Sequence, residues 1–132
     1  MHINLESDYA VRIVHCLAAE DGRLDAQTIS ERTCVSLRFT LKIMRKLVAA
    51  GIVRSYKGAR GGYTLTRAPG MITLRQVIEA VEGPYRFSRC LDGEYDCTCS
   101  TSPEECPFHS VFDDVTRLVT AKLDEVTFDR LG

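Results

Sequence analysis

Apolar positions near the start of the chain recur every three or four residues, which is the spacing of helices that bury one face. This pattern predicts a first helix over residues 5 to 20. Asp25 can cap a second, short helix from residue 26 to about 32, and Ser36 can cap a third, which Gly51 ends. Two helices joined by a short turn, the later one rich in arginine and lysine, are typical of a helix-turn-helix.

After the third helix the pattern changes to that of strands. Residues 52–56 and 63–66 are predicted as two strands, joined by a loop whose glycines permit the positive φ of a tight hairpin. The loop offers Lys57 and Arg60 at its tip. A hairpin directly after a helix-turn-helix is interpreted as a wing, and we expect its tip to contact the DNA backbone or minor groove.

The second half of the chain begins with one clear helix and then loses its periodicity. Thr73, with Gln76 three residues later, predicts a capping box for a helix over residues 74–81. Residues 85–105 show neither helical nor strand spacing and are rich in polar residues. A loop of this length inside a compact domain needs a functional explanation or disorder to account for it.

A final helix is predicted from Pro107, a residue that suits the first helical turn. Its apolar stripe is longer than one small core requires, so we interpret it as a dimerisation helix; the alternative is packing against the first helix. The fold class is therefore mainly α with a small β-hairpin wing, a winged helix-turn-helix with a long C-terminal dimerisation helix. The stripe comprises Val111, Phe112, Val115, Leu118, Val119, Leu123 and Val126.

Charge is distributed unevenly along the 132 residues, although the net charge is only -1. Residues 1–68 carry 11 Lys and Arg against 6 Asp and Glu, whereas residues 69–132 carry 6 against 12. Ten basic residues and no acidic one lie between Arg32 and Ile78. Clustered cations gain affinity for polyanions by releasing counterions, so the first half is expected to bind DNA. The predicted contacts are Ser36, Arg38, Phe39, Thr40 and Lys42 in the major groove, with Lys57 and Arg60 on the wing.

No apolar run approaches the roughly 18 residues that span a bilayer, and the N-terminal residues do not form a signal peptide. We therefore expect a cytoplasmic protein without a membrane partner. No nucleophile–base set and no phosphate-binding Gly-rich loop is recognisable, so neither an enzyme nor a small-molecule substrate is expected.

Four of the six cysteines fall within seventeen residues in the acidic half, followed by a histidine. Thiolates with an imidazole favour zinc or an iron–sulfur cluster. Three interpretations stay open: a thiol switch or disulfide, zinc, and a cluster held by three cysteines and one other ligand. Cys16 and Cys34 are expected to be buried small hydrophobic residues. The candidate ligands are Cys90, Cys97, Cys99, Cys106 and His109.

The chain as a whole resembles the Rrf2 family of winged-helix transcription regulators, which includes the IscR and NsrR types. The resemblance is carried by Asp8-Tyr9-Ala10-Val11-Arg12, the helix-turn-helix, and the run from Ala50 to Pro84 with its Lys57-Gly58-Ala59-Arg60-Gly61-Gly62-Tyr63 loop. It implies a homodimer that binds palindromic promoter DNA. In many members it also implies a 2Fe–2S or 4Fe–4S cluster held by three cysteines before the long helix.

The resemblance leaves the fourth ligand open. The IscR type uses a histidine three residues after the third cysteine, which corresponds to His109; the NsrR type uses an aspartate of the partner subunit's first helix, which corresponds to Asp8. The middle cysteine is also ambiguous, and the gap from Cys90 favours Cys97 over Cys99. Leu41 stands where the IscR type has a glutamate, so the DNA specificity of that type does not carry over.

The predicted organisation has three parts: residues 1–84 as the DNA-binding winged helix-turn-helix, 85–106 as a cysteine-rich cluster-binding loop, and 107–132 as a dimerisation helix with a C-terminal tail. The predicted function is a dimeric transcription regulator, a repressor, that senses iron, redox state or nitric oxide through the cluster. Some members of the family lack a cluster, so the alternative is a cluster-free regulator controlled by cysteine oxidation or a protein partner.

Overall fold

A computed structural model describes residues 2–92, 98 and 102–130 of the chain. It contains five helices and one antiparallel hairpin within these residues, as the sequence predicts. None of the helices in the described ranges is long and apolar enough to cross a membrane. The elements are α1 (Leu5–Ala18), α2 (Ala26–Thr33), α3 (Leu37–Ala49), β1 (Val53–Tyr56), β2 (Gly62–Leu65), α4 (Leu74–Glu82) and α5 (Pro107–Glu125), with short 3-10 turns at Pro69–Met71 and Arg89–Leu91.

The helix starts follow from local hydrogen bonds of capping side chains. The Asp25 carboxylate accepts from the Thr28 N–H at 2.7 Å, and the Ser36 hydroxyl oxygen accepts from the Phe39 N–H at 3.3 Å. Thr73 and Gln76 form the predicted reciprocal capping box at the start of α4. All three caps are confirmed, whereas α1 ends at Ala18, two residues before its predicted end.

The core of the winged helix lies between α1, α3 and α4. α1 contributes Ile13 and Val14, and α3 contributes Ile43 and Leu47, all with no exposed surface. The hairpin pairs Val53 with Leu65 and Tyr56 with Gly62. A bridge between Leu24 and Tyr63 adds a third extended segment beside β2. These contacts hold α3 and the hairpin in a fixed position relative to each other.

The chain returns to this core after α5. The Leu74 N–H donates to the Val126 carbonyl at 2.8 Å, and Thr127 bridges Thr73. Phe128 is then only 4% exposed and packs in the core cluster. Val126, predicted on the helical stripe, is instead the residue that follows α5. The far end of α5 is therefore anchored to the winged helix.

α5 itself packs on α4 and buries none of its side chains completely. Arg75 of α4 reaches Asp124 of α5 with an N–O distance of 2.8 Å. The opposite face of α5 leaves large apolar side chains in solvent: Phe108 is 65%, Val111 53% and Leu118 72% exposed. The long stripe predicted from the sequence is thus only partly covered within one chain.

Candidate nucleic-acid interface and metal centre

The outer face of α3 combines basic and apolar side chains in one exposed strip. Because residues i, i+3, i+4 and i+7 share a helical face, Arg38, Leu41, Lys42 and Arg45 line the same shallow groove. Leu37 and Phe39 flank it at the N-terminal end of the helix. Arg45 was not among the predicted contacts, although its spacing of seven residues from Arg38 indicates it.

Thr40 is wrongly predicted as a DNA contact. Its side chain has no exposed surface, and it lies with Ile43, Met44 and Leu47 on the inward face of α3. The physical reason is helical phase, since three and seven residues beyond Thr40 the chain places two core residues. Ser36, Arg38, Phe39 and Lys42 are all exposed.

Glu6 of α1 holds two lysines of α3. Its two carboxylate oxygens lie 2.6 Å from the Lys42 and Lys46 ammonium nitrogens, one oxygen to each lysine. The hydrogen bonds from Lys42 and then Lys46 lower the pKa of Glu6 below its usual value. Lys42, which belongs to the exposed strip of α3, is therefore paired with a carboxylate of α1.

The Asp8 side chain belongs to a surface network on α1. One carboxylate oxygen lies 2.6 Å from the Arg12 guanidinium, and the Asp8 side chain is 43% exposed. Arg12 also lies 5.5 Å from the Tyr9 ring centre, and that ring meets Phe39 edge-on at 5.8 Å. Asp8 is accessible to a second subunit, and its present partner is an arginine.

The wing presents its basic residues at an exposed tip. Lys57 and Arg60 are both exposed. Gly58 adopts φ +91°, the region that favours glycine. At Gly61 a side chain is excluded, since a Cβ there would lie 2.9 Å from the carbonyl oxygens of Gly58 and Tyr56. The positive φ predicted for the loop glycines is confirmed at Gly58, whereas Gly61 requires a glycine because of close backbone contact and not because of its φ.

Arg23 contacts the wing from the segment after α1, and sequence reasoning did not identify it. Its guanidinium carbon lies 3.6 Å from the centre of the Tyr56 ring. Its Nη1 donates to the Arg60 carbonyl at 2.9 Å, 37 positions along the chain. No local pattern marks such a contact, because it joins the segment after α1 to the wing only in the folded state.

The described cysteines of the candidate metal centre lie where the chain approaches α5. Cys90 occupies the 3-10 turn Arg89–Leu91, with its sulfur 3.2 Å from the Ser88 hydroxyl. Cys106 is the residue directly before α5, and His109 lies in the first turn of that helix. All three side chains are half-buried. Cys97 and Cys99 lie outside the described residues.

Aromatic packing attaches the Cys90 segment to α5. The Phe87 and Phe112 ring centres are 5.4 Å apart, and Phe108 stacks on Phe112 at 6.3 Å. The Phe87 N–H donates to the Thr116 hydroxyl at 3.0 Å. The segment and the first half of α5 therefore form one packed unit.

The donors on the described part of this unit suit a soft metal. Two thiols and one imidazole favour zinc or an iron–sulfur cluster over magnesium or calcium. Among residues 2–92, 98 and 102–130, no three His, Cys, Asp or Glu side chains are grouped as a metal site. The predicted three-cysteine set also includes Cys97 or Cys99, which lie outside the described residues, so this set stays a prediction.

The two remaining cysteines differ from each other. Cys16 is partly buried and packs against the core, and burial raises the pKa of its thiol. The expectation for Cys34 is wrong, because this residue is exposed. Cys34 ends α2 in the left-handed conformation with φ +57°, and its side chain lies in solvent at the turn of the helix-turn-helix.

Known proteins resemble the chain over nearly its full length. The family model for Rrf2, described as an iron-dependent transcriptional regulator, matches residues 3–132. The HTH-type transcriptional regulator IscR of Aliivibrio salmonicida is 30% identical over 133 residues, which cover 99% of this chain and 77% of that protein.

Two solved structures show the same fold. The structure of T. potens IscR superposes with a TM-score of 0.74 at 25% identity, covering 98% of this chain and 84% of the other. The structure of CymR, titled the global cysteine regulator of B. subtilis, superposes with a TM-score of 0.79 at 24% identity, covering 99% and 95%. The described helices and hairpin thus form a winged helix followed by a long C-terminal helix.

Proposed function

The chain belongs to the Rrf2 family of transcriptional regulators, and from this premise we propose that it binds operator DNA as a homodimer and senses through an iron–sulfur cluster. The observation that carries the DNA-binding surface is the exposed basic strip of α3, followed directly by the wing. Arg38, Lys42 and Arg45 enter the major groove, together with Ser36 and Phe39. Lys57 and Arg60 meet the backbone or minor groove beside it.

The exposed apolar face of α5 supports the homodimer. Phe108, Val111 and Leu118 are each more than half exposed, and contact with a second copy removes this surface from water. Because a two-fold dimer presents two α3 helices related by symmetry, its operator is palindromic. An operator-bound dimer obstructs polymerase, so the proposed action is repression, in the cytoplasm where the DNA lies.

The proposed ligands are Cys90, Cys106 and either Cys97 or Cys99, completed by His109 or by Asp8 of the partner subunit. The bound cluster supplies a group that responds to iron, redox state or nitric oxide. Cys106 would hold the cluster directly before α5, and the contact of Phe87 with Phe112 would couple the Cys90 segment to the same helix. The far end of α5 is held by Phe128. A change in ligation therefore acts on a helix that joins the dimer axis to the DNA-binding unit.

Control by cysteine oxidation without a cluster is a second candidate, and the exposed thiol of Cys34 in the turn of the helix-turn-helix favours it. Oxidation there adds polar atoms beside the DNA-facing helix. This candidate requires no metal and leaves the four cysteines of residues 90–106 without a common role.

Anaerobic purification, with an absorbance spectrum and iron and sulfide analysis, separates the two candidates. A coloured protein with bound iron and sulfide is expected. Colourless, iron-free protein that still selects a duplex from a random-sequence pool overturns the cluster and favours thiol control. Cys97→Ala and Cys99→Ala identify the middle ligand, because only one of them loses the cluster. His109→Ala and Asp8→Ala distinguish the fourth ligand in the same way.

A further inference from the structure

The wing is too small to fix its own geometry. Its strands have four residues each, and an isolated two-stranded hairpin is only marginally stable in water. The five residues between the strands include the exposed Lys57 and Arg60. Contacts with the rest of the chain must therefore define where this loop stands relative to α3.

The segment after α1 supplies such contacts to the second strand. The Leu24 N–H donates to the Tyr63 carbonyl at 3.2 Å, and the Tyr63 N–H donates to the Leu24 carbonyl at 2.8 Å. Gly62 packs so closely that a Cβ on it would lie 2.9 Å from the Leu24 carbonyl oxygen. This pairing holds the end of β2 that adjoins the loop, and residues 57–61 lie beyond it.

Arg23 extends the same segment to the tip. Its guanidinium carbon lies over the ring of Tyr56, the last residue of β1, 3.6 Å from the ring centre. Its Nη1 donates to the Arg60 carbonyl at 2.9 Å. One side chain thus contacts both the end of the strand and the backbone of the residue that carries a wing cation.

We propose that Arg23 is a positioning residue for DNA binding: it holds the wing tip in the geometry in which Lys57 and Arg60 reach the phosphates. This role rests on the proposed DNA-binding function. The planar guanidinium stacks on the tyrosine and donates at its edge at the same time, which a lysine ammonium cannot do. Without the Arg23 contacts, the unbound loop samples more conformations. More conformational entropy is then lost when the loop binds DNA, and the affinity falls.

The test uses Arg23→Lys, which keeps the charge and removes the planar stack. The probe is a fluorescein-labelled duplex that the wild-type protein has selected from a random pool, and binding is followed by anisotropy. Its dissociation constant is expected to rise about fivefold. The slope of log affinity against log salt and the thermal unfolding midpoint are expected to stay unchanged. Tyr56→Leu, which removes the other half of the stack, is expected to show the same loss.

Arg67→Lys is the matched control, because Arg67 also donates to a backbone carbonyl, that of Gly51, at 3.4 Å, and has no ring beneath it in the described structure. It is expected to bind as the wild type does. In a Lys57→Ala/Arg60→Ala background, Arg23→Lys is expected to add nothing, because the groups it positions are gone.

Wild-type affinity in Arg23→Lys overturns the role. So does a loss that persists in full in the Lys57→Ala/Arg60→Ala background, since Arg23 would then act on DNA directly. A fall in the unfolding midpoint of both Arg23→Lys and Tyr56→Leu would assign the stack to stability instead. If the wild-type protein selects no duplex, the proposed function itself fails, and this role fails with it.

Discussion

α1 and α5 are both amphipathic, but they bury their apolar side chains to very different extents. α1 places Ala10, Ile13, Val14 and Leu17 in the core, each at most 3% exposed, whereas α5 buries no side chain completely. The two halves of the chain to which these helices belong also differ in charge: from residue 32 to residue 78 there are ten basic residues and no acidic one, and from residue 90 to residue 116 there are seven acidic residues and no basic one.

The winged helix buries its apolar side chains within one chain, whereas α5 does not. The winged helix reaches its geometry through contacts within the chain, including the caps, the core and the Leu24–Tyr63 pairing. α5 keeps a row of apolar side chains in solvent beside two cysteines and a histidine. In the proposed function, a second copy covers this apolar face and a metal group binds the cysteines.

Removal of a proposed ligand should have the largest effect. Cys106→Ala is expected to abolish iron and sulfide binding, because it removes a proposed cluster ligand that lies directly before α5. Cys34→Ala, on the winged helix, is expected to keep the full content. Metal and sulfide analysis after anaerobic purification measures both. Equal iron content in the two variants would contradict the assignment of the metal ligands to the acidic half of the chain.

Two side-chain truncations, one after α5 and one within it, should differ sharply in their effect on the free energy of unfolding. Phe128→Ala removes a core side chain, and the free energy of unfolding is expected to fall by about 3 kcal/mol. Leu118→Ala removes a side chain that is 72% exposed, and a change within about 0.5 kcal/mol is expected for the monomer. Urea unfolding at low protein concentration measures this.

Leu118→Ala also tests the proposed dimer. Sedimentation of Leu118→Ala is expected to show dissociation at concentrations at which the wild type is dimeric. A Leu118→Ala protein that remains as dimeric as the wild type would contradict the assignment of this face to a second copy.

A basic residue of the wing should contribute to DNA affinity, whereas a basic residue of α5 should not. Arg60→Ala is expected to weaken binding to a selected duplex by about tenfold and to reduce the salt slope by about 1. Arg117→Ala removes the same charge from α5, where Arg117 pairs with Asp113, and is expected to change neither. Anisotropy titrations at several salt concentrations give both values, and an unchanged slope for Arg60→Ala would exclude a phosphate contact.

The smallest effect is expected from Glu6, the carboxylate that pairs with Lys42 and Lys46. Glu6→Gln frees Lys42 for phosphate, so affinity for DNA should rise about threefold and the salt slope should steepen. Glu31→Gln removes the same charge from α2, where Glu31 is paired with Gln27, and should leave the affinity nearly unchanged. Weaker binding by Glu6→Gln would mean that this carboxylate orients Lys42 for DNA instead of competing with it.

Local interactions explain why much of the fold could be predicted. The caps at Asp25, Ser36 and Thr73 each join residues three positions apart, and apolar spacing identifies the buried face of α1. The candidate DNA strip also follows from helical spacing. The same spacing includes Arg45 in the strip, which the prediction omitted, and places Thr40 on the inward face of α3. The sequence likewise predicts that the last helix starts at Pro107, and the structure accordingly has Cys106 directly before α5 and His109 in its first turn.

The sequence alone therefore determined the winged helix, the position of its basic half and the acidic cysteine-rich half, because these depend on near neighbours and on composition. Tertiary structure decided how distant segments meet. Phe128 enters the core after α5, Arg23 stacks on Tyr56, and Cys34 lies in solvent. The first two of these contacts join residues more than thirty positions apart. Their energies depend on packing that no local pattern contains, so they appear only when the chain is folded.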